Sequence, residues 1–244
     1  MNKSLLIISK NYWGANASEQ SAKIFLNNFV KIVDIKESNC LSLIGENVNV
    51  TNVKNILYNT VFNILKNNTF NQILYIYMNG HGNQIYDTND DEKSPIEEGE
   101  TIKDNMDEIY QLPDGVILDD EITDIIEKAV RDSCGENRLI VVLISDHCSS
   151  GSMIDKKRDG GSYDWITIGS SLDNQDSYIT GDGNVMTNNL LNVLQKIDVN
   201  TCNTMLFYRL LTEEMKNSFI GDIQTATLHV SNPKMFTKLL FNPL

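Results

Sequence analysis

Short, wholly apolar runs of strand length recur along this chain, separated by longer segments with helical spacing. "SLLIIS" (4–9), "QILYIYM" (72–78) and "RLIVVLIS" (138–145) are of the first kind. Rich in aromatic or β-branched side chains, they suit strands buried on both faces. "SEQSAKIFLNNFV" (18–30), with Ser18 as N-cap, and "NVTNVKNILYNTVFNILKNN" (49–68), capped near Thr51, repeat apolar residues as helices do. "GVILDDEITDIIEKAVRD" (115–132) reads as a short strand, then a helix opened by Asp119 or Asp120. Beyond "DWITIGSS" (164–171), helices are predicted over 184–197 and 204–219, and a last strand over 224–230. Residues 83–111 lose periodicity, turn acidic and read as one long functional loop. The alternation predicts an α/β fold: a mostly parallel central sheet with helices on both faces. A chain of 244 residues, 41% hydrophobic, can build one large core.

In such sheets the reactive groups lie beyond the C-terminal ends of strands. Two of the apolar runs end in chemistry. The first runs into "MNGHGNQ", which sets His81 between Gly80 and Gly82, and the second into "DHCSSGS", which carries Cys148. A thiol attacks only as thiolate, and a neighbouring imidazole can take its proton and return it to a leaving amine. His81 is therefore the candidate base and Cys148 the candidate nucleophile. The N–H groups of Gly82 and Cys148 are candidates for an oxyanion hole. The glycines are expected to leave room for a substrate carbonyl. Singly, a Gly-His-Gly turn or a cysteine after a buried strand has a plain structural reading. Together, at two strand ends, they point to a dyad. Of the other two histidines, His147 adjoins Cys148, so its ring is expected to point elsewhere, and His229 sits in a strand pattern and reads as structural.

The formal charge of −13 and a pI near 4.6 disfavour nucleic acid or an anionic membrane as partner. The four cysteines form no CxxC pair, which disfavours a thiolate zinc site. The N-terminal apolar run is too short for a signal peptide or a membrane span. A cytoplasmic, reducing setting with free thiols is expected.

The ordered motifs resemble those of metacaspases, in the caspase-like clan of cysteine peptidases. "MNGHGNQ" is similar to the family's base motif, "PIEEGE" (95–100) to its acidic loop, and "ILDDEI" (117–122) to its "I-x-D-D-E-I". "DHCSSGS" (146–152) resembles the nucleophile motif "D-S-C-H-S-G-S". "SSLDNQDSY" (170–178) and "QTATLHVSNP" (224–233) resemble later family segments. The resemblance spans nearly the whole chain. It implies a caspase-like α/β sandwich in one domain over 1–244. Residues 1–155 would be the large-subunit-like part and 164–244 the small-subunit-like part, joined by a loop over 156–163.

The resemblance also implies roles. His81 and Cys148 match the catalytic dyad. Asp146 matches the acid at the floor of the S1 pocket, which takes a P1 Lys or Arg. Asn79 stands where the family has a pocket Ser. The family's early "C-x-x-D" is matched by Ser18 and Ser21, so Ser21 replaces the second pocket acid. A P1 Asp preference would need pocket arginines, and none of Arg131, Arg138, Arg158 and Arg209 lies in a matching motif. Calcium is the implied cofactor, with Asp119, Asp120, Asp155 and Glu97 or Glu98 as oxygen ligands. Helix capping by "DDE" is the simpler alternative for the first two. An EF-hand-like loop from Asp87 lacks its glycine. Lys156, Lys157 and Arg158 form the densest basic run and are candidates for autocleavage. Peptide or protein substrates and a monomer are expected. The main rival is a catalytically weak homologue that binds partners. A calcium-binding module is a third possibility.

Overall fold

The computed structural model describes residues 2–11, 16–86, 106–135, 138–154, 162–172, 175–181, 183–218 and 223–242. Its centre is a six-stranded sheet: β1 (Asn2–Ser9), β2 (Cys40–Ile44), β3 (Gln72–Asn79), β7 (Leu139–Asp146), β8 (Asp164–Gly169) and β11 (Thr227–Val230). The spatial order is β11-β8-β7-β3-β1-β2. All neighbours run parallel except β11, which is antiparallel to β8. The parallel β7–β8 pairing carries one sheet across the join between the two expected parts. A second sheet holds β4 (His81–Tyr86), β5 (Met106–Leu112) and β6 (Gly115–Leu118), and β9 (Ile179–Thr180) pairs with β10 (Gly183–Asn184).

The helices are α1 (Ala17–Val33), α2 (Val50–Lys66), α3 (Asp119–Asp132), α4 (Val185–Lys196) and α5 (Thr204–Lys216). β3 is buried at every position because both of its faces are covered. Ile73, Tyr75 and Tyr77 enter the core with α1, α4 and α5, while Leu74, Ile76 and Met78 enter the core with α2 and α3. Each such side chain contributes about 1.5–3 kcal/mol by leaving water. The Phe25 ring stacks on Tyr77 at 4.2 Å, pinning α1 over β3. The mostly parallel α/β sandwich expected from the alternation is the observed architecture.

Local differences have physical causes. Helix α1 begins before Ser18, which lies buried inside it. Asn49, not Thr51, caps α2, its side chain accepting from the Asn52 N–H at 2.8 Å. The supposed loop over 83–111 holds β4 and β5 at its ends; residues 87–105, including Glu97 and Glu98, lie outside the described residues. So do Asp155, Lys156, Lys157 and Arg158. No described helix is long and apolar enough to cross a membrane.

Candidate active site

Strands β3 and β7 are parallel neighbours, and their last residues, Asn79 and Asp146, are register partners. Two residues further along each chain come His81 and Cys148. Paired strands lie about 4.8 Å apart, so both chains leave the C-terminal end of the sheet as neighbours, at its centre. His81 opens β4 opposite Gln111 of β5 and is half-exposed. The Tyr110 hydroxyl donates to the Asn79 carbonyl at 2.9 Å and so ties β5 to the end of β3.

The two glycines beside His81 are required by the packing of the protein around them. A Cβ on Gly82 would run into the Cys148 carbonyl and the His147 ring. A Cβ on Gly80 would lie 2.9 Å from the Lys10 carbonyl and 3.0 Å from the Tyr110 hydroxyl. The side-chain direction at both positions is taken up by protein atoms, which leaves the Gly82 N–H as the part of this segment that could face a substrate.

His147 does not point away from the site. It is buried 5.6 Å from the Tyr110 ring, and its Nδ1 lies 2.9 Å from the Cys148 carbonyl. A carbonyl only accepts, so Nδ1 carries the proton and Nε2 is a buried lone pair with no partner among the described residues. Its pKa is lowered to about 4, mainly by burial and in smaller part by the nearby His81, against the Cys148 carbonyl contact, which raises it. His147 is thus a neutral strut beneath the loop. His229 is likewise buried, with its pKa lowered by burial to about 4, in keeping with a structural role.

The turn after Cys148 is tightly held. Ser149 takes the left-handed conformation (φ +48°), and its N–H donates to the Gln175 carbonyl at 3.2 Å. Ser170 and Ser171 hydroxyls donate to the His147 carbonyl at 3.0 and 3.3 Å. Ser152 donates to Glu108 Oε2 at 2.5 Å, and Gln84 to Oε1 at 2.9 Å, so the β4–β5 hairpin and the nucleophile turn share one buried carboxylate. The Cys148 thiol receives the Ser177 N–H at 3.3 Å. Burial pushes its pKa up; the Ser177 N–H opposes this, and the Asp176 carboxylate reinforces it. The resting group is a thiol.

Asp146, Asn79 and Ser21 are gathered in one buried polar cap. Asp146 Oδ2 accepts from the Thr187 N–H (3.0 Å) and hydroxyl (2.5 Å), and Oδ1 from the Ser177 hydroxyl (3.1 Å). Burial pushes this carboxyl up, against hydrogen bonds that hold it down. Asn184 donates from its side chain to the Asp146 carbonyl (3.1 Å) and from its N–H to Ser21 Oγ (2.8 Å). Asn79 donates to the Ser18 carbonyl at 2.8 Å. The Asn79 and Asn184 side-chain oxygens are buried and accept from no group among the described residues. Ser177, Asn184, Thr187 and Glu108 escaped sequence reasoning. The "SSLDNQDSY" motif flagged the neighbourhood of Ser177 but not its N–H, and no signal marked the others.

Of the proposed metal ligands, Asp119 and Asp120 open α3, and Asp119 is buried. Among the described residues, no three His, Cys, Asp or Glu side chains form a metal-sized group. The described part of the set is therefore two adjacent carboxylates.

No family model matches the chain, and no curated protein sequence matches it significantly. A crystal structure of a Geobacter sulfurreducens protein, solved as a structural genomics target, superposes with a TM-score of 0.69 at 19% identity, covering 100% of both chains. That likeness carries the fold alone.

Proposed function

We propose that this chain is a metacaspase-type cysteine endopeptidase. The observation that carries the reading is the Asn79–Asp146 rung, which sets His81 and Cys148 at adjacent strand ends. In this mechanism the Cys148 proton passes to His81 and the thiolate attacks the scissile carbonyl carbon. The N–H groups of Gly82 and Cys148 receive the oxyanion. His81 then protonates the leaving amine, and water, deprotonated by His81, hydrolyses the thioester. A P1 Lys or Arg is proposed from the match of Asp146 to the family's pocket acid, since a carboxylate suits its N–H donors; the cap is buried and would have to open to admit it. Calcium would be held by Asp119 and Asp120 with Asp155 and Glu97 or Glu98, supplying positive charge beside the nucleophile loop. Cleavage after Lys156, Lys157 or Arg158 and a cytoplasmic setting complete the proposal; the four free cysteines fit a reducing compartment.

A second reading rests on the Cys148 thiol, whose pKa is raised with Asp176 among the causes. A nucleophile so held suits a weakly active homologue that binds partners. Peptides with P1 Arg, Lys or Asp, incubated with and without calcium, separate the two. The peptidase reading expects Arg or Lys cleavage that is lost in Cys148→Ala. No turnover of any peptide favours the binding protein.

A further inference from the structure

Ser177 touches two residues of the nucleophile motif at once. Its N–H donates to Cys148 Sγ at 3.3 Å and its hydroxyl to Asp146 Oδ1 at 3.1 Å. Asp146 is 0% exposed and ends β7 two residues before the nucleophile. Its other oxygen, Oδ2, receives the N–H and hydroxyl of Thr187 in the first turn of α4. The Thr187 hydroxyl lies 2.6 Å from the Tyr77 hydroxyl, so the carboxylate is braced against both a helix and the sheet. A carboxylate held on both oxygens is a fixed anchor for whatever donates to it.

The chain on either side of Ser177 is held separately. The Ser149 N–H donates to the Gln175 carbonyl, the Tyr178 N–H to Gln224 Oε1 and the Val185 N–H to the Tyr178 carbonyl. These ties fix where the segment runs. The bond to Asp146 fixes the residue between them, and with it the direction of the N–H that meets the sulfur. A donor aimed at sulfur favours the thiolate over the thiol. Burial raises the Cys148 pKa, and the Ser177 N–H opposes it.

We propose that Ser177 and Asp146 act on Cys148 as one unit: the Ser177 N–H is the donor that stabilises the thiolate, and Asp146 is the positioning residue that keeps it on the sulfur. The inference rests on the proposed peptidase reading only in taking Cys148 as the nucleophile. It gives Asp146 a role in the resting site that does not require a P1 side chain to reach it.

The test is the pH profile of Cys148 alkylation by iodoacetamide in the full chain, read by peptide mapping so that Cys40, Cys134 and Cys202 are counted apart. The reagent is small and uncharged, so it needs neither a P1 pocket nor turnover. The titratable groups beside the thiol are Asp176 on the same segment, His147 next in sequence, and His81, which adjoins the Gly82 that packs on the Cys148 carbonyl. Ser177 variants leave all three in place. Ser177→Ala should raise the midpoint by about 0.5–1 pH unit and slow labelling at pH 7 by about three- to tenfold, as expected for one hydrogen bond. Ser177→Thr keeps the hydroxyl and should restore the wild-type profile. Asp146→Asn has one oxygen for donors on two sides and should move the midpoint the same way; if that variant does not fold, Ser177→Ala decides alone. An unmoved midpoint in Ser177→Ala, with or without a lower Tm, would overturn the proposal, as would a Ser177→Thr profile that stays shifted. A shifted midpoint in a chain that cleaves no peptide would support the unit and count against the peptidase reading alone.

Discussion

Asn79 and Asp146 form the last rung of the β3–β7 ladder, and their side chains belong to one buried polar cap. The rung fixes where both chains leave the sheet. His81 and Cys148 each follow it by two residues, and Gly82 packs against the Cys148 carbonyl. The proposed pocket acid, Asp146, and the proposed dyad thus depend on the same pair of strands.

The two neighbouring histidines should part company on mutation. His81→Ala should lower peptide cleavage by about 10²–10⁴-fold with little change in Tm, since the ring is half-exposed. His147→Ala should instead cost about 1–3 kcal/mol of stability, because it empties a buried space and strands the Cys148 carbonyl. Thermal melts beside kcat measurements check this. Equal loss of activity in a stable His147→Ala would reassign the base.

Gly82→Ala should be severe for one methyl group. Its Cβ meets the Cys148 carbonyl and the His147 ring, so the nucleophile turn must shift, at about 1–3 kcal/mol. A lower Tm with impaired cleavage is expected. Wild-type behaviour would mean that the turn yields freely.

The Cys148 thiol should alkylate slowly at neutral pH and faster as pH rises beyond the ordinary thiol range, because burial raises its pKa. Asp176 raises it too, so Asp176→Asn should lower the pKa and speed iodoacetamide labelling at pH 7. An unchanged or slower rate would remove Asp176 from the account.

Acid should unfold the chain through buried histidines. His147 and His229 have folded pKa values lowered to about 4, against an unfolded value of 6.5. Their neutral forms favour the fold above pH 6.5, and that advantage is lost as pH falls from 6.5 toward 4. Each can forfeit up to about 3 kcal/mol across this window. Urea melts between pH 7 and 4 check the slope, and His229→Phe should flatten it.

The parts of the fold legible in sequence are those where burial is two-sided. β3 and β7 announce themselves because both faces are covered and their central residues, Ile73–Met78 and Leu139–Ile144, are all apolar or aromatic. β2 was invisible because an edge strand is half-exposed, and "CLSLI" is short. β4 and β5 were hidden by their own chemistry: Asp107 and Glu108 are buried in a strand, where hydropathy predicts apolar residues. Glu108 is there to receive Ser152 and Gln84, partners 44 and 24 residues away. The positions of His81 and Cys148 just past two strands were legible because strand-end position is a local property. The Ser177 N–H on the thiol, 29 residues distant, was not, because backbone groups leave no mark on residue type.

The most direct measurement is labelling by a peptidyl arginine acyloxymethyl ketone, read by intact mass and peptide mapping. The peptidase account predicts a single adduct on Cys148, absent in Cys148→Ala, strongly slowed in His81→Ala, and blocked by a competing P1 Arg peptide. No adduct under conditions where iodoacetamide reacts, or labelling spread over Cys40, Cys134 and Cys202, would contradict it.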